Sequence, residues 1–365
     1  MSQSVISILL PDLRGGGAER VNLDLASEFS KMGHAVEFVL MQARGELLSD
    51  ALSQFSVVDL GVKRARQVPL ALAKYLRNER PDALLAAMWP LTAIAPLMRL
   101  VGYRGRIVVS EHSLLSMQYD IRGRVHQTLL RGSIAVSYRL ADALVAVSGG
   151  VAGDLSALSG LPLKSFEVVH NPVPIRPSPV ETVMRDIEAL WSSPHGTRIV
   201  TVGSLKASKN HNLLLRAFAR LARSDARLML VGTGTGEADL RNLAAELAIV
   251  DRVIFVGFHA DPTPFYCTAD LFVLSSNYEG FGNVIVEALA CGTPVVSTDC
   301  PSGPAEILAG GKFGTLVPVG DVGALAAAID TALSSPHDTD ALRRRATDFA
   351  PGIAAKRYLD LLARP

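Results

Sequence analysis

Short apolar segments alternate with amphipathic segments along the chain, and the whole series occurs twice. The first series predicts strands at 5–10, 35–41, 57–60, 83–87, 106–110 and 143–147, with helices between them such as 18–32 and 69–78. The second predicts strands at 198–202, 227–231, 253–256, 271–274, 294–298 and 314–317. Because strands joined through helices run parallel and are covered on both faces, we predict an α/β fold of two Rossmann-like, doubly wound domains facing a central cleft.

A proline-rich stretch, "HNPVPIRPSPV", separates the two series. Its prolines at 172, 174, 177 and 179 prevent a continuous helix or strand ladder. A chain of 365 residues is also long enough for two hydrophobic cores. We therefore predict an N-terminal domain at 1–170, a linker at 171–180, a C-terminal domain at 181–349, and a final helix at 350–365 that packs back towards the N-terminal domain.

Composition and charge exclude several classes of protein. Hydrophobic residues make up 49% of the chain, which excludes a disordered protein. The 36 basic and 35 acidic residues give a net charge of +1, which argues against wholesale nucleic-acid binding. The cysteines, Cys267, Cys291 and Cys300, form no CxxC pair, so a reducing compartment without structural zinc is expected.

The N-terminal and apolar segments predict a cytoplasmic protein without a membrane-spanning helix. The first 16 residues have no basic region ahead of a long apolar stretch and no small-residue cleavage site. The longest charge-free apolar run, 83–98, is shorter than the ~20 residues of a spanning helix and contains Pro90 and Pro96.

Two glycine-rich turns could approach a phosphate. "LRGGGAER", 13–20, follows the first predicted strand and opens the first helix, and "VGTGTGEADL", 231–240, follows a strand of the second series. Both depart from the dinucleotide fingerprint, the first because Arg20 replaces its third glycine, so a nicotinamide dehydrogenase is disfavoured. The alternative is a tight strand-to-helix turn without a ligand.

Charged residues follow strands of the second series. Lys209, in "VGSLKASKNHN", would place a cation beside a diphosphate. Glu279 and Glu287 flank the turn and helix start of "EGFGNVIVE", and their carboxylates suit ligand hydroxyls at two separate places, such as the sugar and the ribose of a nucleotide sugar. Taken singly, the lysine could be a solvated surface charge and the glutamates could lie on the polar face of a helix.

Several motifs in order resemble glycosyltransferase family 4. They are "GGAER" at 16–20, "SEHS" at 110–113, "NPVP" at 171–174, the "VG-L---KN" frame at 202–210 and "EGFGNVIVEALACGTPVVSTDCPSGPAEIL" at 279–308. This resemblance covers nearly the whole chain. It implies a retaining transferase with the two-domain GT-B fold, in which the N-terminal domain binds the acceptor and the C-terminal domain binds the nucleotide-sugar donor.

The resemblance also implies roles for individual residues. Glu279 would contact the donor sugar, Glu287 would hold the ribose hydroxyls, Lys209 would neutralise the diphosphate, and His112 would lie near the reacting face of the sugar. The family often has an arginine where this chain has Ser204, and Lys206 could substitute for it. The other donor-binding positions implied are Gly16, Gly17, Gly280, Phe281, Gly282 and Asn283.

The activity implied is transfer of a hexose or N-acetylhexosamine from a nucleotide, expected to be UDP, to a glycan acceptor in cell-surface polysaccharide or glycoconjugate synthesis. No cofactor is expected, because the nucleotide sugar is a substrate. No metal is expected either, because the "DTD" at 338–340 is better explained as a helix cap. The alternatives are a sugar-nucleotide epimerase of similar build and a non-catalytic protein that binds sugar nucleotides.

Residues 61–139 are strongly basic. They contain 13 basic and four acidic residues, a local net charge of +9. Interleaved apolar residues, together with these charges, suggest peripheral binding to the cytoplasmic face of an anionic membrane and a lipid-linked acceptor. The alternative is that the arginines are solvated and the apolar residues belong to the core. The apolar residues concerned are Trp89, Leu97, Met98, Leu114, Leu115, Met117 and Tyr119.

Overall fold

The computed structural model describes residues 4–120, 123–191 and 196–363. The chain divides into two compact units. Unit 1 consists of Met1–Pro174 and Phe349–Pro365, and unit 2 of Ile175–Asp348. The division after Pro174 lies inside the predicted linker, and residues 169–180 have no regular secondary structure.

Unit 1 is built on a parallel sheet with seven strands among the described residues, in the order β3-β2-β1-β4-β5-β6-β7. The central strands are almost wholly buried, because helices cover both faces. The strands are β1 (Val5–Leu10), β2 (Ala35–Leu40), β3 (Ser56–Asp59), β4 (Ala83–Ala87), β5 (Arg106–Glu111), β6 (Ala143–Ala146) and β7 (Phe166–Val168).

Unit 2 repeats this plan. Its parallel sheet has six strands in the part of the chain described, in the order β10-β9-β8-β11-β12-β13. In both sheets the order reverses beside the first strand of the unit, so the loops that leave this edge diverge, as in Rossmann-like folds. The strands are β8 (Arg198–Val202), β9 (Arg227–Val231), β10 (Val253–Gly257), β11 (Leu271–Leu274), β12 (Val295–Thr298) and β13 (Thr315–Val317).

Helices connect the strands of both units. Those of unit 1 before the division are α1 (Gly17–Lys31), α2 (Leu48–Leu52), α3 (Val68–Glu79), α4 (Leu91–Ile94), α5 (Leu115–Gln118), α6 (Gly123–Ser137) and α7 (Gly149–Ser159). Those of unit 2 are α8 (Glu181–Leu190), α9 (His211–Phe218), α10 (Glu237–Glu246), α11 (Thr263–Cys267), α12 (Asn283–Cys291), α13 (Pro304–Ile307), α14 (Val322–Ser334) and α15 (Thr339–Thr347). The last helix, α16 (Pro351–Leu362), belongs to unit 1.

Helix α16 contributes to the core of unit 1. Ala354, Ala355, Tyr358 and Leu362 are buried in the same hydrophobic cluster as Phe29 of α1. Tyr358 follows Ala354 and Ala355 by four and three residues, and Leu362 follows Tyr358 by four, so all four lie on one face of the helix.

The predicted α/β class with two Rossmann-like units is confirmed, and five strands have the predicted bounds: β1, β4, β8, β9 and β11. Strand β7 was not predicted. It has three residues, pairs only with β6 at the sheet edge, and buries fully only Phe166. A segment this short carries too little periodicity to identify.

The interpretation of the apolar residues in the basic segment needs correction. Met98, Leu114 and Leu115 are buried in unit 1 and cannot face a membrane surface. Met117 is 39% exposed, whereas Trp89, Leu97 and Tyr119 are partly buried. Arg122, one of the basic residues counted there, lies outside the described residues. No helix among residues 4–120, 123–191 and 196–363 is both long and apolar enough to cross a bilayer.

Candidate active site

The residues predicted to face the sugar and the diphosphate of the donor contact each other in unit 2. Lys209 Nζ donates a hydrogen bond to Glu279 Oε1 at 2.6 Å, and Ser276 Oγ donates to the same oxygen at 2.5 Å. The side chains of Lys209 and Glu279 are 16% and 10% exposed, so the pair is largely withdrawn from water. Partial burial strengthens the attraction between the two charges, and the exposed remainder lets a ligand reach them.

Neighbouring strands bring this pair together. Lys209 ends a short 3-10 helix, Ala207–Lys209, that follows β8, and Glu279 lies in the loop after β11. Because β8 and β11 are adjacent and parallel, both loops leave the same edge of the sheet, where the strand order reverses. This is the edge at which open α/β sheets bind ligands.

Hydrogen bonds between the two loops hold the pair in place. Asn210, with a left-handed backbone at φ 45°, donates from Nδ2 to Asn277 Oδ1 at 2.9 Å. The Asn277 N–H donates to the Ser208 carbonyl at 2.8 Å. Ser275 Oγ donates to the Lys209 carbonyl at 2.9 Å. The two loops that carry Lys209 and Glu279 are therefore joined to each other by backbone and side-chain hydrogen bonds.

The turn before α12 depends on two glycines, Gly282 in the turn itself and Gly303 in the loop between β12 and α13 that packs against it. Gly282 has φ 102° and immediately precedes Asn283, the first residue of the helix. At Gly303 an added Cβ would lie 1.8 Å from the Phe281 carbonyl oxygen, so only glycine allows these two loops to approach so closely. The helix therefore starts at a tightly packed turn, and its first N–H groups can interact with an anion.

Glu287 lies in α12, about one turn after Asn283. Its Oε2 accepts a hydrogen bond from the Tyr266 hydroxyl at 2.8 Å. Burial, with Glu287 as the next cause, raises the pKa of Tyr266 well above its ordinary range, so the hydroxyl stays a donor. Tyr266 thus orients the carboxylate, and Glu287 itself remains partly exposed.

Three further residues belong to the loop of Lys209. Ser204 and Lys206 are exposed, and the Lys206 N–H donates to the Ser204 carbonyl at 2.9 Å. His211, at the start of α9, is 4% exposed. Burial and then the charge of Lys209 lower the pKa of His211 to about 4, so it is neutral at physiological pH. Because His211 is neutral, the positive charge that contacts Glu279 comes from Lys209.

His112 lies in unit 1, directly after β5. Its Nδ1 is 3.2 Å from Asn171 Oδ1, and its Nε2 is 3.1 Å from Ser110 Oγ, which is 2.6 Å from the Tyr358 hydroxyl of α16. Because an amide oxygen only accepts, Nδ1 carries the proton and Nε2 accepts from Ser110. Burial lowers the pKa of His112 to about 4, against the opposing effect of Asn171, so the ring is neutral.

Beside His112, the carboxyl group of Glu111 is fully buried. Its Oε1 accepts hydrogen bonds from the hydroxyls of Thr92 and Tyr138, the latter at 3.0 Å. Burial raises the pKa of Glu111 to about 7, although both hydrogen bonds lower it. Glu111 lies within the "SEHS" motif, but the sequence alone predicts no role for it.

The raised pKa makes folding stability depend on pH. Between about 4.5 and 7 the folded protein binds a proton at Glu111 that the unfolded chain releases, so this group contributes stability at low pH that is lost as the pH rises. We expect Glu111→Gln to remove this term, so the variant gains on the order of 3 kcal/mol over the wild type between pH 4.5 and 8. Urea unfolding at several pH values measures the difference, in which the contributions of other groups cancel. Glu79→Gln, an exposed carboxylate, is the control, and parallel curves for Glu111→Gln and the wild type would contradict the assignment.

The glycine-rich turn after β1 also lies in unit 1. Gly16 precedes α1, which begins at Gly17. A Cβ added at Gly16 would be 2.4 Å from Glu19 Oε2, so the carboxylate of Glu19 lies against this turn. An anion that approaches the backbone N–H groups of this turn would therefore come close to the negative charge of Glu19. The glycine-rich motif alone does not predict this repulsion.

The acidic "DTD" motif is a helix cap, as predicted. Asp338 Oδ1 accepts from the Ala341 N–H at 2.9 Å and caps α15. Among the described residues, no group of three or more His, Cys, Asp or Glu side chains is arranged to hold a metal ion.

Two family models together match most of the chain. A model described as "Glycosyl transferases group 1" matches residues 189–349, and one described as "Glycosyltransferase Family 4" matches residues 15–176. One curated relative, an N-acetylgalactosaminyltransferase of Campylobacter jejuni named for a diphospho-undecaprenol acceptor, is 28% identical over 352 residues, 93% of each chain. Another, the lipopolysaccharide core biosynthesis glycosyltransferase LpsE of Rhizobium meliloti, is 28% identical over 360 residues, 96% of each chain.

Solved structures share the same fold. A glycosyltransferase from Rickettsia africae has a TM-score of 0.84 at 17% identity and covers 99% of this chain and 98% of its own. HepE from Anabaena, solved in complex with UDP and glucose, has a TM-score of 0.84 at 22% identity and covers 99% of each chain. At these identities the likeness establishes the architecture.

Proposed function

The chain belongs to the glycosyltransferases of family 4, which have the GT-B fold, and from this premise we propose that it transfers a hexose or N-acetylhexosamine from UDP to a lipid-linked glycan with retention of configuration. The observation that carries the donor half of the proposal is the Lys209–Glu279 pair at the edge of the second sheet. A nucleotide sugar supplies a partner of matching chemistry for each member. Lys209 would bind diphosphate oxygens, and Glu279 would accept from sugar hydroxyls.

In this proposal unit 2 binds the donor. Lys209 and the first N–H groups of α12 neutralise the diphosphate, and Glu287 accepts from the ribose hydroxyls in the orientation that Tyr266 fixes. Ser204 stands where the family often has an arginine, so the exposed Lys206 is the residue that would supply a second cation. The carboxylate of Glu279 holds the sugar for the transfer step.

The transfer step exchanges two bonds at the anomeric carbon. The bond to the diphosphate oxygen breaks, a bond to the acceptor oxygen forms on the same face, and the acceptor proton passes to the leaving diphosphate. Lys209 stabilises the negative charge that develops on the leaving group. His112 is neutral and both of its ring nitrogens have partners within the protein, so it would position the sugar by contact of the ring rather than donate a proton as an acid.

Unit 1 is proposed to bind the acceptor. The Campylobacter relative is named for an acceptor on diphospho-undecaprenol, and LpsE is named for lipopolysaccharide core synthesis. These names, with the net charge of +9 over residues 61–139, support a lipid-linked saccharide and a peripheral position on the cytoplasmic face of an anionic membrane.

Transfer itself tests the function. A panel of UDP-hexoses and UDP-N-acetylhexosamines is incubated with polyprenyl diphosphate N-acetylhexosamine, the product is identified by mass spectrometry, and its anomeric configuration is read by NMR. We expect one donor to give an α-linked product from an α-linked donor. A donor sugar altered without any acceptor would identify an epimerase, and a donor that binds but is never consumed would identify a non-catalytic binding protein.

We also propose that transfer needs no divalent metal, because Lys209 and the start of α12 provide the positive charge that the diphosphate requires. Activity should be the same in a chelator as in added magnesium. Activity that disappears in the chelator and returns with magnesium or manganese would contradict this.

A further inference from the structure

Unit 1 contains an apolar cavity whose chemistry differs from that of the candidate active site. The cavity has a volume of about 230 Å³, and its lining includes Trp89, Ile94, Leu97 and Val136. The polar groups at its wall are already satisfied, since Trp89 Nε1 donates to Ser133 Oγ at 3.2 Å and Ser133 Oγ donates to the Leu130 carbonyl at 2.8 Å. The cavity therefore presents a hydrocarbon surface to whatever occupies it.

Helix α6 extends this apolar surface outside the cavity. Val125, Leu129 and Val136 are 77%, 65% and 63% exposed. With Gly132, where an added Cβ would meet nothing within 4 Å, they follow one another at intervals of four, three and four residues and so lie on one face. We call this face the apolar stripe. Val136 belongs both to the stripe and to the cavity wall, so the two surfaces are continuous.

The cavity adjoins the edge of the sheet that carries His112. Trp89 follows β4 by two residues, and His112 follows β5. Strands β4 and β5 are neighbours with Ala87 opposite Ser110, and the Met88 N–H donates to the Ser110 carbonyl at 3.4 Å. A molecule that fills the cavity can therefore extend towards the residue proposed to position the sugar.

Exposed cations accompany the stripe. Arg124 and Arg131 are exposed and lie on a side of α6 next to the stripe, and Arg139, just after the helix, is exposed too. An apolar face beside a row of arginines matches a ligand with a hydrocarbon chain and an anionic group. A purely apolar ligand would not need the arginines, and a free sugar phosphate would not need the stripe.

We propose that the cavity and the apolar stripe bind the hydrocarbon chain of the lipid-linked acceptor, and that the arginines of α6 face its diphosphate or the anionic headgroups around it. This inference rests on the proposed lipid-linked acceptor and gives it a binding site. The cavity would take the part of the chain next to the diphosphate, because the cavity adjoins the sheet edge of His112, and the stripe would take the following part.

Acceptors of two chain lengths test the site. Polyprenyl diphosphate N-acetylhexosamine and its two-isoprene analogue carry the same sugar and diphosphate and differ only in the hydrocarbon. We expect Leu129→Asp and Val136→Trp to raise the ratio of the KM for the long acceptor to the KM for the short one by at least about tenfold, because the first puts a charge on the stripe and the second fills the mouth of the cavity. Leu52→Asp is the matched control, since Leu52 is an exposed leucine, 59% accessible, on α2 of the same unit and outside the basic segment 61–139.

The outcomes separate this inference from the proposed function. If the wild type uses both acceptors and no variant changes the KM ratio, the chain does not bind here, although the transferase function holds. If neither acceptor is used, the site can still be located by photocrosslinking with a polyprenyl diphosphate that carries a diazirine in its first isoprene units. Label on residues 89–97 or 123–137 is expected, and label elsewhere would overturn the inference. Analytical ultracentrifugation provides a further check, because a wild-type dimer that Leu129→Asp dissociates would make the stripe a contact between two copies of the chain.

Discussion

Replacing Glu279 with alanine should lower transfer at least a hundredfold, a loss of about 2.7 kcal/mol in transition-state stabilisation, while UDP still binds. The carboxylate is 10% exposed and accepts from both Lys209 and Ser276, so its position is fixed before the donor arrives. A fixed acceptor aimed at the sugar acts mainly on the step in which the sugar moves.

The ion pair adds a second expectation for the same variant. In the free protein Lys209 is paired with Glu279, and binding of a diphosphate must draw on the same ammonium group. Without the carboxylate, Lys209 is available to the ligand alone. Glu279→Ala should therefore bind UDP at least as tightly as the wild type does, measured by calorimetry, although it hardly transfers sugar.

Glu287→Ala is the matched comparison, because it removes the other carboxylate of the same motif. We expect it to weaken UDP binding by roughly tenfold, the effect of losing a charge-assisted hydrogen bond to the ribose. Tyr266→Phe should weaken UDP binding less, because it removes only the hydrogen bond that orients Glu287. Equal loss of UDP affinity in Glu279→Ala and Glu287→Ala would show that the two carboxylates do not divide the sugar and the ribose between them.

Most of the fold could be predicted because its signal is local. The strands β1, β4, β8, β9 and β11 are short apolar runs bounded by polar or turn residues, and their bounds follow from the sequence. Strand β7 could not be found in the same way, because three residues at a sheet edge become a strand only through pairing with β6. This pairing forms only in the assembled sheet, so no local pattern in the sequence predicts it.

In the candidate site too, the sequence predicts single residues but not the contacts between them. The motifs located Lys209 and Glu279 individually, but their ion pair joins residues 70 positions apart and depends on β8 and β11 being neighbours. Exposure was harder to predict than position. Leu114 and Leu115 appeared to belong to an interfacial surface and are buried, whereas Leu129 on α6 is exposed. Helical periodicity identifies a face, and only packing decides which face is covered.

Lys209→Ala should reduce kcat/KM for the donor by at least tenfold. The substitution removes a charge-assisted contact with the diphosphate, worth roughly 1.5–3 kcal/mol in a partly closed site. The cation also neutralises Glu279, so the variant leaves a largely buried, uncompensated carboxylate that still accepts a hydrogen bond from Ser276. Some loss of stability is therefore expected together with the loss of activity, and urea unfolding must be measured beside the kinetics.

Two further variants separate these effects. Lys209→Ala combined with Glu279→Gln removes the uncompensated charge, so it should recover stability without recovering donor use. Lys206→Ala tests the alternative cation, an exposed lysine three residues before Lys209 in the same loop. If Lys209→Ala leaves kcat/KM unchanged and Lys206→Ala lowers it tenfold, then Lys206 binds the diphosphate. Lys209 would in that case stabilise the fold as the counter-ion of Glu279, and the hydrogen bond from Ser276 would be enough to hold the carboxylate in position.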